Sequence, residues 1–95
     1  MTYYIALIHK EPGSAYGVSF PDVPGVTTAA DSIDEAMERA AEVLAFAAED
    51  WRDLRQQDFP GARTIDEIRN DPGLAEDLAD AIIAAVPIKA LAHAA

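Results

Sequence analysis

The sequence predicts an α+β domain of order βββα(α)β, and three observations predict it. The first thirty residues hold three apolar stretches punctuated by Pro and Gly, the pattern of a strand meander. At Ser32 the apolar period lengthens from about two to about 3.6 and persists to Pro60 and Gly61, which marks one long helix. Near the other end, "AIIAAVPI" is an unbroken apolar run of strand length. Residues 1–95 read as a single domain, because a chain of this length supports one core and not two. Strands are expected at about 2–9, 15–20, 26–30 and 81–88, and helices at about 33–56, 65–70 and 72–79.

In "YYIALIH" nearly every position is apolar and β-forming, as in a strand that lies centrally or is covered on both faces. "KEPGS" follows, with Pro12 and Gly13 where a type II turn needs fixed φ and then positive φ, so the first two strands form a hairpin. In "AYGVSF" Tyr16, Val18 and Phe20 alternate with small or polar residues, giving one apolar face. "PDVPG" interrupts, and "VTTAAD" supplies the third strand.

Ser32 with Glu35 fits a capping box, so the long helix starts at Ile33. Met37, Ala40, Leu44, Ala47, Trp51 and Leu54 recur at three- and four-residue steps and define its buried stripe, widened by Ala41 and Ala48. Val43 and Phe46 lie to one side, where they either extend the buried face or meet a partner. Thr64 with Glu67 forms a second capping box for "IDEIRN", and Asp71-Pro72 opens a further short helix. The final strand is reached by a crossover and is expected to lie parallel to one of the others. Helices on a single face would leave an apolar sheet face uncovered, because Tyr3, Ile5 and Leu7 alternate with Tyr4, Ala6 and Ile8. That predicts a homodimer or higher homo-oligomer.

Seventeen acids against seven Lys and Arg give a net charge of -10. A domain that grips phosphates needs a basic patch, so direct nucleic-acid binding is not expected, whereas a basic protein partner suits the charge. Excess acid also keeps a small domain soluble. The absence of cysteine excludes a disulfide scaffold and points to a reducing, cytoplasmic setting. The N-terminus has neither a basic leader nor an apolar span, so no membrane association is expected. His9 and His93 stand outside any ligand-spaced cluster, and no metal or cofactor is expected.

The run "YGVSFPDVPGVTTAADSIDEAMERAAEVL", within this order of elements, resembles the HicB family of bacterial antitoxins over roughly residues 2 to 54. "RTIDEIRNDPGLAEDLADAIIAAVPI" is similar to the more variable second half of the same module. The resemblance implies a partial RNase H-like module: a four-stranded mixed sheet of order 3-2-1-4, the last strand parallel to the first, with helices on one face. It also implies the antitoxin of a type II toxin-antitoxin pair, a non-enzymatic protein that binds and occludes a small basic HicA-type ribonuclease. Relatives that repress their own operon carry a DNA-binding segment after this module, and the chain to Ala95 holds none.

Under that reading Asp22, Asp31, Asp34 and Glu35 are the candidate partner contacts. The simplest account of Asp22 is a turn cap in a loop stiffened by Pro21 and Pro24, with Gly25 at an unusual backbone angle. Asp31, Asp34, Glu35 and Glu38 gather where the helix macrodipole favours acids. A residual metal-dependent nuclease would need carboxylates converging from strands, yet the first two strands have none. A solitary self-associating module is the remaining alternative.

Overall fold

The computed structural model describes residues 2–55 and 58–88, with only the backbone of Arg52, Leu54 and Arg55. The Leu54 side chain, His93 and the terminal tail therefore lie outside the described residues. Three N-terminal strands, β1 (Tyr3–Lys10), β2 (Tyr16–Ser19) and β3 (Thr27–Ala30), lead into α1 (Ile33–Arg55). Then come α2 (Ile65–Arg69), a 3-10 turn (Pro72–Leu74), α3 (Ala75–Ala79) and β4 (Ile82–Pro87). The sheet order is β3-β2-β1-β4.

The turns form for the reasons their residues dictate. Gly13 takes φ +78° beside Pro12, and the Ser14 amide donates to the Glu11 carbonyl at 3.0 Å, closing the first hairpin. β1 pairs with β2 through Ile8 opposite Val18, and β2 with β3 through Val18 opposite Thr28. Between β2 and β3 the loop makes two successive turns, Val23 amide to Phe20 carbonyl and Val26 amide to Val23 carbonyl, with Gly25 at φ +86°. These turns drive Val23 fully into the core beside Phe20.

Two expectations about the sheet are corrected. Every strand pair is antiparallel, β4 included, with Tyr4 opposite Val86 and Ile8 opposite Ile82, so the sheet is not mixed and β4 is not parallel to β1. The helices also occupy both faces rather than one. A single cause accounts for both corrections. α1 carries the chain along one face to the end where Phe59 meets Tyr4. The segment from Phe59 to Ala81 then returns across the opposite face, until the Asp77 carbonyl lies 2.7 Å from His9 Nε2. This second traverse reverses the direction in which the final strand enters.

On the first face Tyr4, Ala6 and Ile8 pack with Val18, Phe20, Val86 and the inner stripe of α1. That stripe is Ala36, Ala40 and Leu44, all fully buried, continued by Trp51, with Met37, Ala41 and Val43 alongside. Small residues let the helix lie close to the sheet, and Leu44 fills the space between. At about 1.5 Å per residue α1 is roughly 35 Å long and outreaches the eight-residue β1, so Trp51 meets Phe59 beyond the sheet centre. Their rings stand edge to face at 5.6 Å.

On the second face Ile5, Leu7 and Ile83 are covered by Ile65, Ile68, Leu74, Leu78 and Ala81. Ile68 is fully buried, and Leu7 is 2% exposed. Ile5 and Leu7, at the centre of the apolar face that suggested a homodimer, are thus covered within one chain, while Tyr3 at its end stays 52% exposed.

Both predicted helix starts form. The Glu35 amide donates to Ser32 Oγ at 3.2 Å and the Ala36 amide to the Ser32 carbonyl at 2.9 Å. Glu35 turns its carboxylate along the helix to Arg39 instead of back to the cap. Ser32→Ala is expected to lower the unfolding free energy by about 0.5–2 kcal/mol, read from a urea titration; an unchanged midpoint would mean the cap contributes nothing. At α2 the box is reciprocal, with the Glu67 amide to Thr64 Oγ1 at 3.2 Å and the Thr64 amide to Glu67 Oε1 at 3.0 Å. The Thr64 amide first, and then the Thr64 side chain, hold the Glu67 carboxyl below its ordinary pKa.

Candidate partner-binding site

The four candidate acids do not form one site. Asp22 sits in the loop after β2, at the sheet end shared with Tyr4 and Pro60, whereas Asp31, Asp34 and Glu35 surround the start of α1 at the opposite end of β3. Their environments differ as well. The Asp22 side chain is only 7% exposed and belongs to a brace across the molecule. Arg63 donates its backbone amide to Asp22 Oδ2 at 2.7 Å and its Nε to Oδ1 at 2.6 Å, while its Nη1 reaches Asp71 Oδ2 at 2.9 Å. Asp71 Oδ1 in turn accepts from the Gly73 amide at 2.9 Å and caps the 3-10 turn.

One guanidinium therefore ties the β2–β3 loop to the returning second-face segment. Its bonds to Asp71 and then Asp22 push the Arg63 pKa up, and the Arg63 bond is the main cause holding Asp71 below its ordinary value. The order Pro-Asp-Val-Pro-Gly now has a physical reason. Pro21 and Pro24 stiffen the loop so that Asp22 faces Arg63 and Val23 the core. The Asp22 carboxylate is occupied structurally.

Tyr4 belongs to the same end. Its hydroxyl donates to the Pro60 carbonyl at 2.5 Å, and burial first, then the Asp22 charge, raises its pKa above 10.0. A raised folded-state value means that the contribution is complete below about pH 10 and disappears as the pH climbs through the folded value. Tyr4→Phe is expected to lose roughly 0.5–1.5 kcal/mol at neutral pH and to decline less than the parent as the pH rises above about 10. Parallel curves for the two proteins would contradict this.

The remaining acids face solvent. Asp31 and Asp34 are exposed, and Glu35 pairs with Arg39 at 2.6 Å, while Arg39 Nη1 also donates to the Ala29 carbonyl at 2.9 Å. Beyond them the outer side of α1 has an organisation of its own, apart from Asp22, Asp31, Asp34 and Glu35 as a set. Asp34, Glu38, Glu42, Phe46 and Asp50 follow at successive four-residue steps, and all are exposed. Phe46 is 57% exposed, so it faces outward rather than extending the core, whereas Val43 packs inward. Like charges four apart repel by a few tenths of a kcal/mol each, so packing on the inner side sustains the helix against its outer side. The signal is readable from the i, i+4 spacing. It is hidden only by the ease of attributing helix acids to solubility.

Among the described residues, no group of three or more His, Asp or Glu side chains is placed to hold a metal ion. No described helix is long and apolar enough to cross a membrane.

Comparison with known proteins sets this architecture in a family. The family described as "HicB_like antitoxin of bacterial toxin-antitoxin system" matches residues 4–94. A UPF0150 protein of Archaeoglobus fulgidus is 30% identical over 63 residues, which cover 66% of this chain and 91% of that protein. Among solved structures, the Burkholderia pseudomallei antitoxin HicB superposes with a TM-score of 0.78 at 29% identity, over 94% of this chain. The chain spans 64% of that HicB's length. The N-terminal domain of the same antitoxin matches with a TM-score of 0.73 at 28% identity, covering 93% of this chain and 99% of that one. A chain of a HicA3 and HicB3 toxin-antitoxin complex shares the fold, with a TM-score of 0.71 at 22% identity over 93% of this chain. With the family match covering nearly the whole chain and the fold common to all three structures, the protein belongs to the HicB-like antitoxin family of bacterial toxin-antitoxin systems.

Proposed function

We propose that this chain is the antitoxin of a type II pair and that it binds and occludes a small basic HicA-type ribonuclease. The observation that carries the reading is the outer side of α1, where the ladder Asp34, Glu38, Glu42 leads to an exposed Phe46 and on to Asp50. Acids on a protein of net charge -10 steer a basic partner and set its orientation. An exposed aromatic ring supplies the apolar contact that charge alone lacks. Asp31, Asp34 and Glu35 extend this surface past the helix start and are its contacts at that end. Asp22 supports it indirectly, as part of the Arg63 brace.

In this reading the chain is not an enzyme and uses no cofactor. It acts by covering the toxin's RNA-binding surface, without gripping nucleic acid itself. The two proteins work in the cytoplasm, where a cysteine-free chain needs no oxidising environment. That a HicA3 and HicB3 complex has been solved supports a partner of this class.

The test is charge reversal with Phe46 truncation, measured as binding to the co-expressed basic toxin. The triple change Asp31→Lys, Asp34→Lys, Glu35→Lys is expected to lower affinity about tenfold or more at low salt, chiefly through the association rate, and to flatten the salt dependence. Phe46→Ala is expected to raise the dissociation rate. Asp22→Asn should alter stability but not the salt dependence. Unchanged affinity and salt slope in the triple variant, together with unchanged dissociation of Phe46→Ala, would remove α1 from the interface.

A further inference from the structure

The two faces of the sheet are covered in different ways. On the first face a 23-residue helix lies over the strands, and the core beneath it takes in Phe59 as well. On the second face the cover is residues 61–81, built from two five-residue helices and a 3-10 turn. Helices that short do not stand in water by themselves. Among the described residues of this cover Ile68 alone is fully buried, with Ile65, Leu74, Leu78 and Ala81 half-buried around it. They pack on Ile5, Leu7 and Ile83, across the sheet from the first-face core.

The cover is held at its ends. Arg63 ties its start to Asp22, and the Asp77 carbonyl near its finish lies 2.7 Å from His9 Nε2. Before it, Phe59 packs in the first-face core and the Pro60 carbonyl accepts from Tyr4; after it, Ile82 pairs with Ile8 in the sheet. Between these fixed points come six acids and two arginines, on a chain whose net charge is already -10. Charge therefore pushes the cover away from the body, and Arg63 opposes it.

We propose that residues 61–81 are a strap that opens as one unit about these fixed ends, with Arg63 as its latch, while the sheet, α1 and the first-face core stay folded. Opening separates one small apolar cluster and one ion pair whose guanidinium is 35% exposed, far less than unfolding the whole chain separates. It bares Ile5, Leu7 and Ile83 beside Tyr3 and Ala85, which are exposed already. The open chain thus presents an apolar face that the closed chain hides. The acidic outer side of α1 is the same in both.

The experiment is native-state hydrogen exchange on the full chain, in water and in low urea. The amides of Ile68, Asn70 and Leu74, bonded to Thr64, Asp66 and Asp71 within the strap, report its opening, and the Leu44 amide reports the first-face core. The three strap amides are expected to share one opening constant, at least about tenfold above that of Leu44 and weakly dependent on urea. Arg63→Gln should raise that constant about tenfold or more. Ser32→Ala should speed the Leu44 amide about twofold to thirtyfold and leave the strap amides unchanged, since the cap stays made in the open chain. Thiols read the face itself. The chain has no cysteine, and Leu7 under the strap and Val18 in the first-face core start from the same 2% exposure. Leu7→Cys is expected to be alkylated through the strap's opening, and Val18→Cys only through the slower opening of the core.

Strap amides that exchange no faster than Leu44, or that follow it in Ser32→Ala, overturn the proposal, because the cover then opens only with the whole fold. Separate opening constants for Ile68, Asn70 and Leu74 overturn the single unit, and strap amides unmoved by Arg63→Gln overturn the latch. Alkylation of Leu7→Cys no faster than that of Val18→Cys would mean that the face stays covered, and overturns the proposal as well.

Discussion

Arg63→Ala is expected to lower the unfolding free energy by about 2–3 kcal/mol, between the worth of an exposed ion pair and that of a buried one. The Asp22 side chain is 7% exposed, so losing the guanidinium leaves a nearly buried carboxylate with only the Arg63 backbone amide. Arg63 itself is 35% exposed, which keeps the loss below the fully buried limit. The same change frees Asp71 and loosens the turn it caps. Because Asp71 has a depressed pKa, its contribution is present above about pH 3.8 and fades as the pH falls through the folded value. The gap between parent and variant should thus be widest near neutrality and narrow in acid. Urea titrations at several pH values measure it, and a double cycle with Asp22→Ala isolates the coupling. A neutral-pH loss under about 0.5 kcal/mol would reduce the brace to a surface pair.

The second large effect lies in the core. Leu44 is fully buried between α1 and the sheet, in contact with a cluster that includes Val18 and Val86. Leu44→Ala is expected to lose about 2–5 kcal/mol, because the flanking Ala40 and Ala41 cannot expand into the cavity. For a domain of this size each kcal/mol moves the melting temperature by roughly 4–8 °C, so a fall of more than about 10 °C is anticipated. Phe46→Ala on the outer side of the same helix should move it little. Equal shifts for the two would mean that the inner and outer sides of α1 are misassigned.

Much of this architecture is legible from local chemistry. Pro12 with Gly13, Ser32 with Glu35, and Thr64 with Glu67 each announce a boundary that depends on residues within a few positions, and each forms. The alternation in β1 likewise tells that both faces of the sheet are apolar. What covers the second face is harder to read. α2 and α3 are five residues each, too short for a periodic pattern, and their Ile65, Ile68, Leu74 and Leu78 only acquire a common side once folded. The sense of β4 follows from that traverse and inherits its obscurity. The Asp22 brace joins residues 41 positions apart, which no local pattern encodes. At the candidate surface, the acids at the α1 start were visible as a cluster. The four-residue ladder running on to Phe46 needed the helix's inner side to be fixed first.

The most direct test of the antitoxin reading is co-expression of this chain with a small basic ribonuclease of the HicA type, followed by affinity capture and an RNA-cleavage assay on the purified product. A stable complex is expected, in which cleavage is suppressed and returns when this chain is stripped away. A ribonuclease that cleaves RNA equally well with and without this chain, and is not retained by it, would contradict the antitoxin reading.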